Sequence, residues 1–394
     1  MNQKLASHIK YVKPLYACYY HTGTLFLRLL RLFVKPQDNM ILFISYGGKK
    51  YDDSPKCIYE AMCHDKRFNG YELVWAFNDP GAYAIGMGRK IKTDTLRYFI
   101  TALKARCWVT NSAVERGLSF KGKRTFYFNT WHGGTIKWMG CDIPRENDSF
   151  RSKSKWKVDV MLAQSDYEAR LFSRVFDIPL KRFETIGRPR NDGLAVSMPD
   201  EIERLKASLH IESRKKVILY APTFREYEKN EADCSLSIPV DFHKWEKHLS
   251  DEYVVLFRAH YEVASHMNVQ NSDFLRDVSD YPQLNDLMLV ADILVSDYSG
   301  IYYDFSVMGK PMLCFAYDYE EYSQKRGLYF DIRKELSCGN ISNENQLLNA
   351  ITHLDKEKAC RQSCRFRDKY VTAYGDATQK SLDIIATELN KNRQ

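Results

Sequence analysis

The chain has 394 residues, 44% of them hydrophobic and 27% charged, with a net charge of +8. That length exceeds one ordinary core and calls for two packed domains, and the composition excludes a disordered chain and a membrane-spanning one. Six basic residues (Lys4, Lys10, Lys13, Arg28, Arg31 and Lys35) precede the first acidic one, Asp38, so the positive excess reads as a local docking feature and nucleic acid is not an expected partner.

Residues 24–35 (TLFLRLLRLFVK) place Arg28, Arg31 and Lys35 on one helical face, with Leu25, Phe26, Leu29, Leu32 and Phe33 around the rest. The uncharged stretch before Arg28 is interrupted by His21 and Gly23, too short for a spanning helix and without a leader-cleavage pattern. Residues 1–37 are therefore expected to be an amphipathic segment lying in the headgroup plane of an anionic bilayer. The competing arrangement packs this helix on its own domain with the basic residues facing water.

After Pro36 the pattern becomes short β-rich runs alternating with helical stretches. Met40–Ser45, Tyr71–Phe77, Cys107–Thr110, Thr125–Asn129 and Val158–Ala163 read as buried strands, with helices at Pro55–Cys63, Leu96–Ala105 and Asp166–Phe176, the last capped by Ser165. The same alternation restarts with strands at Lys216–Tyr220, Val254–Arg258, Asp292–Ser296 and Met312–Ala316 and helices near Tyr281–Val290 and Gly300–Met308. Alternating β and α units imply parallel sheets. The expected architecture is α/β and GT-B-like: two doubly wound Rossmann-like domains facing a cleft, 38–186 and 187–375, with a terminal helix at 376–394. The ten cysteines include no CxxC pair, and Cys360 and Cys364 have no second ligand pair, so a zinc site is not expected and a reducing compartment is.

Ligands of doubly wound sheets bind at the carboxyl ends of strands, so motifs there matter most. Asn129–Lys137 (NTWHGGTIK) presents His132 after a strand, followed by Gly133 and Gly134, which let backbone approach a ligand. Histidine titrates near neutrality and can take a proton from an attacking hydroxyl. Gly187–Asp192 (GRPRND) carries Arg188, Pro189 and Arg190, where either phosphate contact or ion pairing between domains fits the sequence. Tyr220–Glu226 (YAPTFRE) and Leu256–His260 (LFRAH) put Thr223, Arg225, Arg258 and His260 at neighbouring strand ends, a rim suited to a pyrophosphate. In Ala291–Phe305 a buried strand runs through Asp297 into Ser299 and Gly300 at a helix start, where backbone N–H groups attract phosphate. Ser299 serves equally well as a plain N-cap. Asp304, one turn into that helix, is placed to hold a ribose or polyol hydroxyl.

Taken in order, Thr130–Gly133, Gly187–Asp192, Leu219–Arg225, Arg258–His260, Ser296–Ser299 and a last block at Lys310–Pro311, Tyr317–Asp318 and Tyr322–Tyr329 resemble the CDP-glycerol glycerophosphotransferases of teichoic acid and capsule synthesis. Ser45–Glu60 fits the family's opening stretch, and the resemblance covers nearly all of the chain beyond residue 40. It implies a peripheral enzyme on the cytoplasmic face of a bacterial membrane. Such an enzyme moves a polyol phosphate, glycerol phosphate foremost, from a CDP-polyol donor to a lipid-linked glycan or growing polymer and releases CMP. It implies His132 as the base, His260 and Arg258 on the donor phosphates, Ser299 with the Gly300 backbone around the pyrophosphate, and Asp304 on the donor. Gly133, Arg188, Pro189, Thr223, Arg225 and Asp297 complete the expected donor site. Two departures stand beside the reacting groups: Gly133-Gly134-Thr135 where relatives commonly carry Gly-Thr-Pro, and Gly300 where they often carry a second serine. No acidic cluster marks a dedicated metal site, so Mg²⁺ is not indicated although phosphoryl transfer often uses it. A homo-oligomer is compatible with the sequence. The competing readings are a GT-B glycosyltransferase using a nucleotide sugar and a non-catalytic scaffold of envelope assembly.

Overall fold

The computed structural model describes residues 13–144, 156–196, 198–223, 225, 239–259, 270–336 and 341–391. It divides into two compact units. The first comprises Met1–His132, Lys153–Arg190 and Asp376–Gln394, and the second Gly133–Ser152 and Asn191–Gly375.

The first unit is built on seven parallel strands in the order β3-β2-β1-β4-β5-β6-β7. These are β1 (Gln37–Ile44), β2 (Glu72–Phe77), β3 (Arg89–Lys92), β4 (Ala105–Thr110), β5 (Phe126–Asn129), β6 (Val160–Ala163) and β7 (Phe183–Thr185). The five central strands follow the apolar runs of the sequence. β3 and β7 lie outside the apolar runs, because edge strands of sequence RKIK and FET bury too little to leave an apolar signature. The core gathers Ile41, Phe43, Trp75, Val109, Phe128 and Leu162 from the sheet. Leu382, Ile385 and Leu389 of the last helix complete it, which is why that helix belongs to the first unit.

The second unit carries five parallel strands in the order β10-β9-β8-β11-β12. They are β8 (Lys216–Tyr220), β9 (Tyr253–Phe257), β10 (Leu275–Asp277), β11 (Ile293–Ser296) and β12 (Met312–Cys314). In β8, Val217 and Leu219 enter one buried cluster while Ile218 and Tyr220 enter another. Both faces are thus covered, as a central parallel strand requires. Segment 133–144 joins this unit through an antiparallel bridge between Lys137 and Leu328 and through the Trp138 indole, which donates to the Leu328 carbonyl at 3.0 Å.

Helix α1 (Lys13–Phe33) lies on the first unit with a polarity opposite to the water-facing arrangement considered above. Arg28 Nε donates to the Ser119 carbonyl at 3.0 Å and Arg31 Nη1 to the Lys121 carbonyl at 3.1 Å, while Leu27 is buried. The apolar side chains Leu25, Phe26, Leu29, Leu32 (74%) and Phe33 (82%) are exposed. The arginines therefore fasten the helix to the protein and turn its greasy side outward. Lys35 lies just beyond the helix end. No helix among the described residues is long and apolar enough to cross a membrane.

Candidate active site

His132 sits where β5 ends. The chain leaves the strand through Thr130, whose N–H donates to the Thr110 carbonyl of neighbouring β4 at 2.7 Å. Trp131 then adopts a left-handed φ of 52°, its N–H held by the Asn129 side-chain oxygen at 2.8 Å. This turn swings the imidazole across to β4, where Nδ1 lies 2.7 Å from the Asn111 carbonyl. A carbonyl can only accept, so Nδ1 carries the proton and Nε2 presents a lone pair. Burial pushes the His132 pKa below its ordinary value. Arg190 and Arg188 act the same way, and the Asn111 carbonyl and Asp53 oppose them. The imidazole is therefore neutral near pH 7, the state a general base requires.

Around it stands a group the sequence did not mark for chemistry. Asp53 opens helix α2 (Asp53–His64), and its carboxylate is buried. Oδ2 accepts from the Tyr46 hydroxyl at 2.5 Å and from Arg190 Nη1 at 2.6 Å, and Oδ1 from the Ser54 N–H at 2.5 Å. The same Arg190 Nη1 donates to the His132 carbonyl at 2.9 Å. Burial works against ionising Asp53, but Arg190, the Tyr46 hydroxyl and the Ser54 N–H outweigh it and hold the pKa at about 2. Tyr46 packs its ring on His132 with centroids 5.7 Å apart, and its N–H is held by Asn111 Oδ1 at 2.8 Å. Seven described non-glycine residues have left-handed φ, and Tyr46, Asp53 and Trp131 are three of them. Each such residue costs about 1–3 kcal/mol, a strain that persists only where surrounding contacts over-determine it.

Arg188 supports the same loop from beneath. Its side chain is fully buried, with Nη1 donating to the Thr130 carbonyl at 3.0 Å and Nη2 to Glu168 Oε1 at 2.7 Å. Glu168 lies in helix α3 (Asp166–Phe176), capped by Ser165 as expected. Pro189 is buried as well.

In the second unit, Asp297 follows β11 and gathers the segment after β8. Its Oδ1 accepts from the Thr223 N–H at 2.9 Å, the Thr223 hydroxyl and the Tyr298 N–H at 2.7 Å. Oδ2 accepts from Arg225 Nη1 at 2.8 Å. Arg225 also grips Asp318 with Nε (2.6 Å) and Nη2 (3.0 Å), under the rings of Tyr298, Tyr317 and Tyr322. Two carboxylates, the Thr223 carbonyl and three rings take up most of this buried guanidinium among the described residues. Arg258 Nη1 donates to the Val278 (2.9 Å) and Tyr281 (2.8 Å) carbonyls. Asp304 Oδ1, in the short helix α4 (Ile301–Ser306), accepts from Asn191 Nδ2 at 2.6 Å, tying that helix to the GRPRND segment. Ser299 Oγ accepts from the Ile301 N–H at 3.3 Å. His260 lies outside the described residues, as do Phe224 and Glu226.

The two departures noted in the sequence touch one another. A Cβ on Gly300 would stand 2.4 Å from the Gly134 carbonyl oxygen, and one on Gly134 would stand 2.4 Å from Cγ of Tyr303. The bare Gly300 thus lets the Gly134 backbone approach closely, and the bare Gly134 leaves room for the Tyr303 ring. Gly133, by contrast, has open space around it. Among the described residues no group of His, Cys, Asp or Glu is arranged to hold a metal ion.

The model of the CDP-glycerol:poly(glycerophosphate) glycerophosphotransferase family matches residues 26–386. A teichoic acid glycerol-phosphate transferase of Staphylococcus aureus is 32% identical over 339 residues, covering 82% of this chain and 85% of that one. A teichoic acid poly(glycerol phosphate) polymerase of Staphylococcus epidermidis is 31% identical over 378 residues, 91% of this chain but only 52% of its own length. Among solved structures, a variant of the wall teichoic acid polymerase TagF soaked with CDPG superposes with a TM-score of 0.85 at 26% identity, over 100% of this chain and 99% of that one.

Two substitutions test this packing. Glu168→Ala strands the buried Arg188 charge and is expected to destabilise the protein by about 3–5 kcal/mol in denaturant unfolding. Gly300→Ala forces a methyl against backbone and is expected to cost about 1–3 kcal/mol in the same measurement.

Proposed function

We propose that this chain, which belongs to the CDP-glycerol:poly(glycerophosphate) glycerophosphotransferase family, moves glycerol phosphate from CDP-glycerol to a hydroxyl of a lipid-linked glycan or growing teichoic-acid polymer and releases CMP. The observation that carries the mechanism is the His132 tautomer: Nδ1 is committed to the Asn111 carbonyl, so Nε2 is the nitrogen left to take a proton. The acceptor oxygen attacks the β-phosphorus as Nε2 removes its hydrogen. The bond from that phosphorus to the bridging oxygen breaks, and CMP departs with the electron pair. Positioning and electrostatics supply most of the acceleration in such transfers.

On this reading the protein is GT-B-like, with the first unit on the acceptor side and the second holding the donor. Thr223, Ser299, Gly300, Arg258 and His260 are the proposed donor contacts. Arg225, Asp297 and Asp304 act behind them, since the first is spent on Asp297 and Asp318, the second on Thr223, Tyr298 and Arg225, and the third bonds Asn191. Arg188 and Pro189 shape the acceptor-side loop in the same indirect way.

The enzyme is proposed to work on the cytoplasmic face of the membrane, seated through the exposed side of α1. Support comes from the outward Leu25, Phe26, Leu29, Leu32 and Phe33 together with the anchoring of Arg28 and Arg31. Burying a Leu or Phe side chain contributes about 1.5–3 kcal/mol.

With CDP-glycerol and a lipid-linked disaccharide, His132→Ala is expected to lower the rate of CMP release by about 10²–10⁴-fold; full activity would refute the base assignment. The wild-type acid limb should fall below the ordinary histidine value of about 6.5, because protonation silences the base and burial lowers its pKa. The double change Leu32→Glu and Phe33→Glu is expected to reduce sedimentation with anionic vesicles by at least about tenfold. Unchanged sedimentation would remove α1 from the membrane contact.

A further inference from the structure

A general base usually has beside it a group that answers the charge it acquires, and here the hydrogen-bond partner of His132 is a neutral carbonyl. A backbone oxygen fixes the tautomer but cannot balance a full positive charge. When His132 takes the acceptor's proton, an imidazolium forms in a half-buried place with two arginines nearby, Arg188 and Arg190. Uncompensated, that arrangement opposes the proton transfer.

We propose that Asp53 is the positioning residue for His132, holding the histidine's backbone through Arg190 and supplying the negative charge that the imidazolium needs. The proposal rests on the reading of His132 as the base and adds to it a residue to which the family resemblance gives no role. Three observations carry it. The Asp53 carboxylate is almost wholly buried, and its cation, Arg190, also binds His132 itself, at the carbonyl. Its backbone is left-handed at φ 66°, as are Tyr46 at 47° and Trp131 at 52°, so strained positions gather on the two segments that meet at the imidazole. Asn111 ties the same segments together, its carbonyl to His132 Nδ1 and its side chain to the Tyr46 N–H.

The charged and titratable groups around the pair are few. Arg190 and Arg188 disfavour imidazolium and Asp53 favours it. Tyr46 bonds Asp53 and stays protonated, burial and the Asp53 charge both raising its pKa. Asp52 caps α2 beside Asp53, and Lys50 Nζ lies 5.7 Å from the Tyr46 ring centroid. The carboxylate remains ionised across the working pH range, because Arg190 and the Tyr46 hydroxyl overcome its burial and keep its pKa at about 2.

The signs follow. Asp53→Asn removes the charge that favours imidazolium, so the acid limb of the pH–rate profile moves down. Arg190→Gln removes a charge that disfavours it, so the limb moves up. Each shift should be roughly half a unit to one unit, within the range for a neighbouring charge. The Asp53→Asn plateau should fall roughly 10- to 100-fold, less than the loss on removing the base outright.

The experiment measures CMP release from pH 5 to pH 9 for the wild type, Asp53→Asn, Arg190→Gln and His132→Ala, on full-length protein with CDP-glycerol and a lipid-linked acceptor. Limb shifts of opposite sign in the two variants support the proposal, and either shift alone suffices should the other variant fail to fold. Loss of activity with an unmoved limb in the folded variants means a purely structural ion pair and overturns it. An inactive His132→Ala beside variants with wild-type profiles overturns the role of Asp53 and leaves the base intact. An active His132→Ala overturns the base reading itself.

Discussion

The hydrogen bond from His132 Nδ1 to the Asn111 carbonyl, 2.7 Å long, joins the residues that follow two neighbouring parallel strands. Parallel pairing brings the ends of β4 and β5 to the same edge of the sheet, and Thr110 aligns with Asn129 in that register. The histidine then needs one left-handed residue, Trp131, to turn its ring toward the adjacent strand end. Once it does, the imidazole has a single tautomer, a half-buried setting and one nitrogen available for chemistry. Arg188 under Thr130 and Arg190 under the His132 carbonyl keep the turn in place.

Both units use arginine in the same manner. Arg188 is bonded to Glu168, Arg190 to Asp53, Arg225 to Asp297 and Asp318, and Arg258 to two main-chain carbonyls. A guanidinium presents five donors in a rigid fork, so one buried arginine can fasten several chain segments at once. Leaving such a charge unpaired is costly, whereas pairing it makes a loop that tolerates strained backbone. The arginines that mark the motifs therefore act largely as loop builders.

Much of this was legible in the residues. Strands such as MILFI, ELVWAF and KVILY bury both faces and read as apolar runs, and Ser165 announces the helix it caps. The short edge strands β3, β7 and β10 left no such trace, because RKIK, FET and LRD are half polar and pair on one side only. His132 was visible because a histidine before two glycines at a strand end is an unusual local pattern. Asp53 was not, since a carboxylate at a helix start reads as a cap until its partners 137 residues away are placed beside it. The role of Asn111 was hidden altogether, because a main-chain carbonyl has no sequence signature. The orientation of α1 was ambiguous for a similar reason: its arginines bond to carbonyls of residues 119–121, an arrangement that no helical periodicity can encode.

The central claim is that His132 is held neutral with its proton on Nδ1, and nitrogen-15 NMR of histidine-labelled protein reads this directly, with His132→Ala assigning the signal. The account predicts at pH 7 an Nδ1 with a bonded hydrogen, an Nε2 without one, and titration below the ordinary histidine range. A doubly protonated ring at pH 7, or a hydrogen on Nε2 in place of Nδ1, would contradict it.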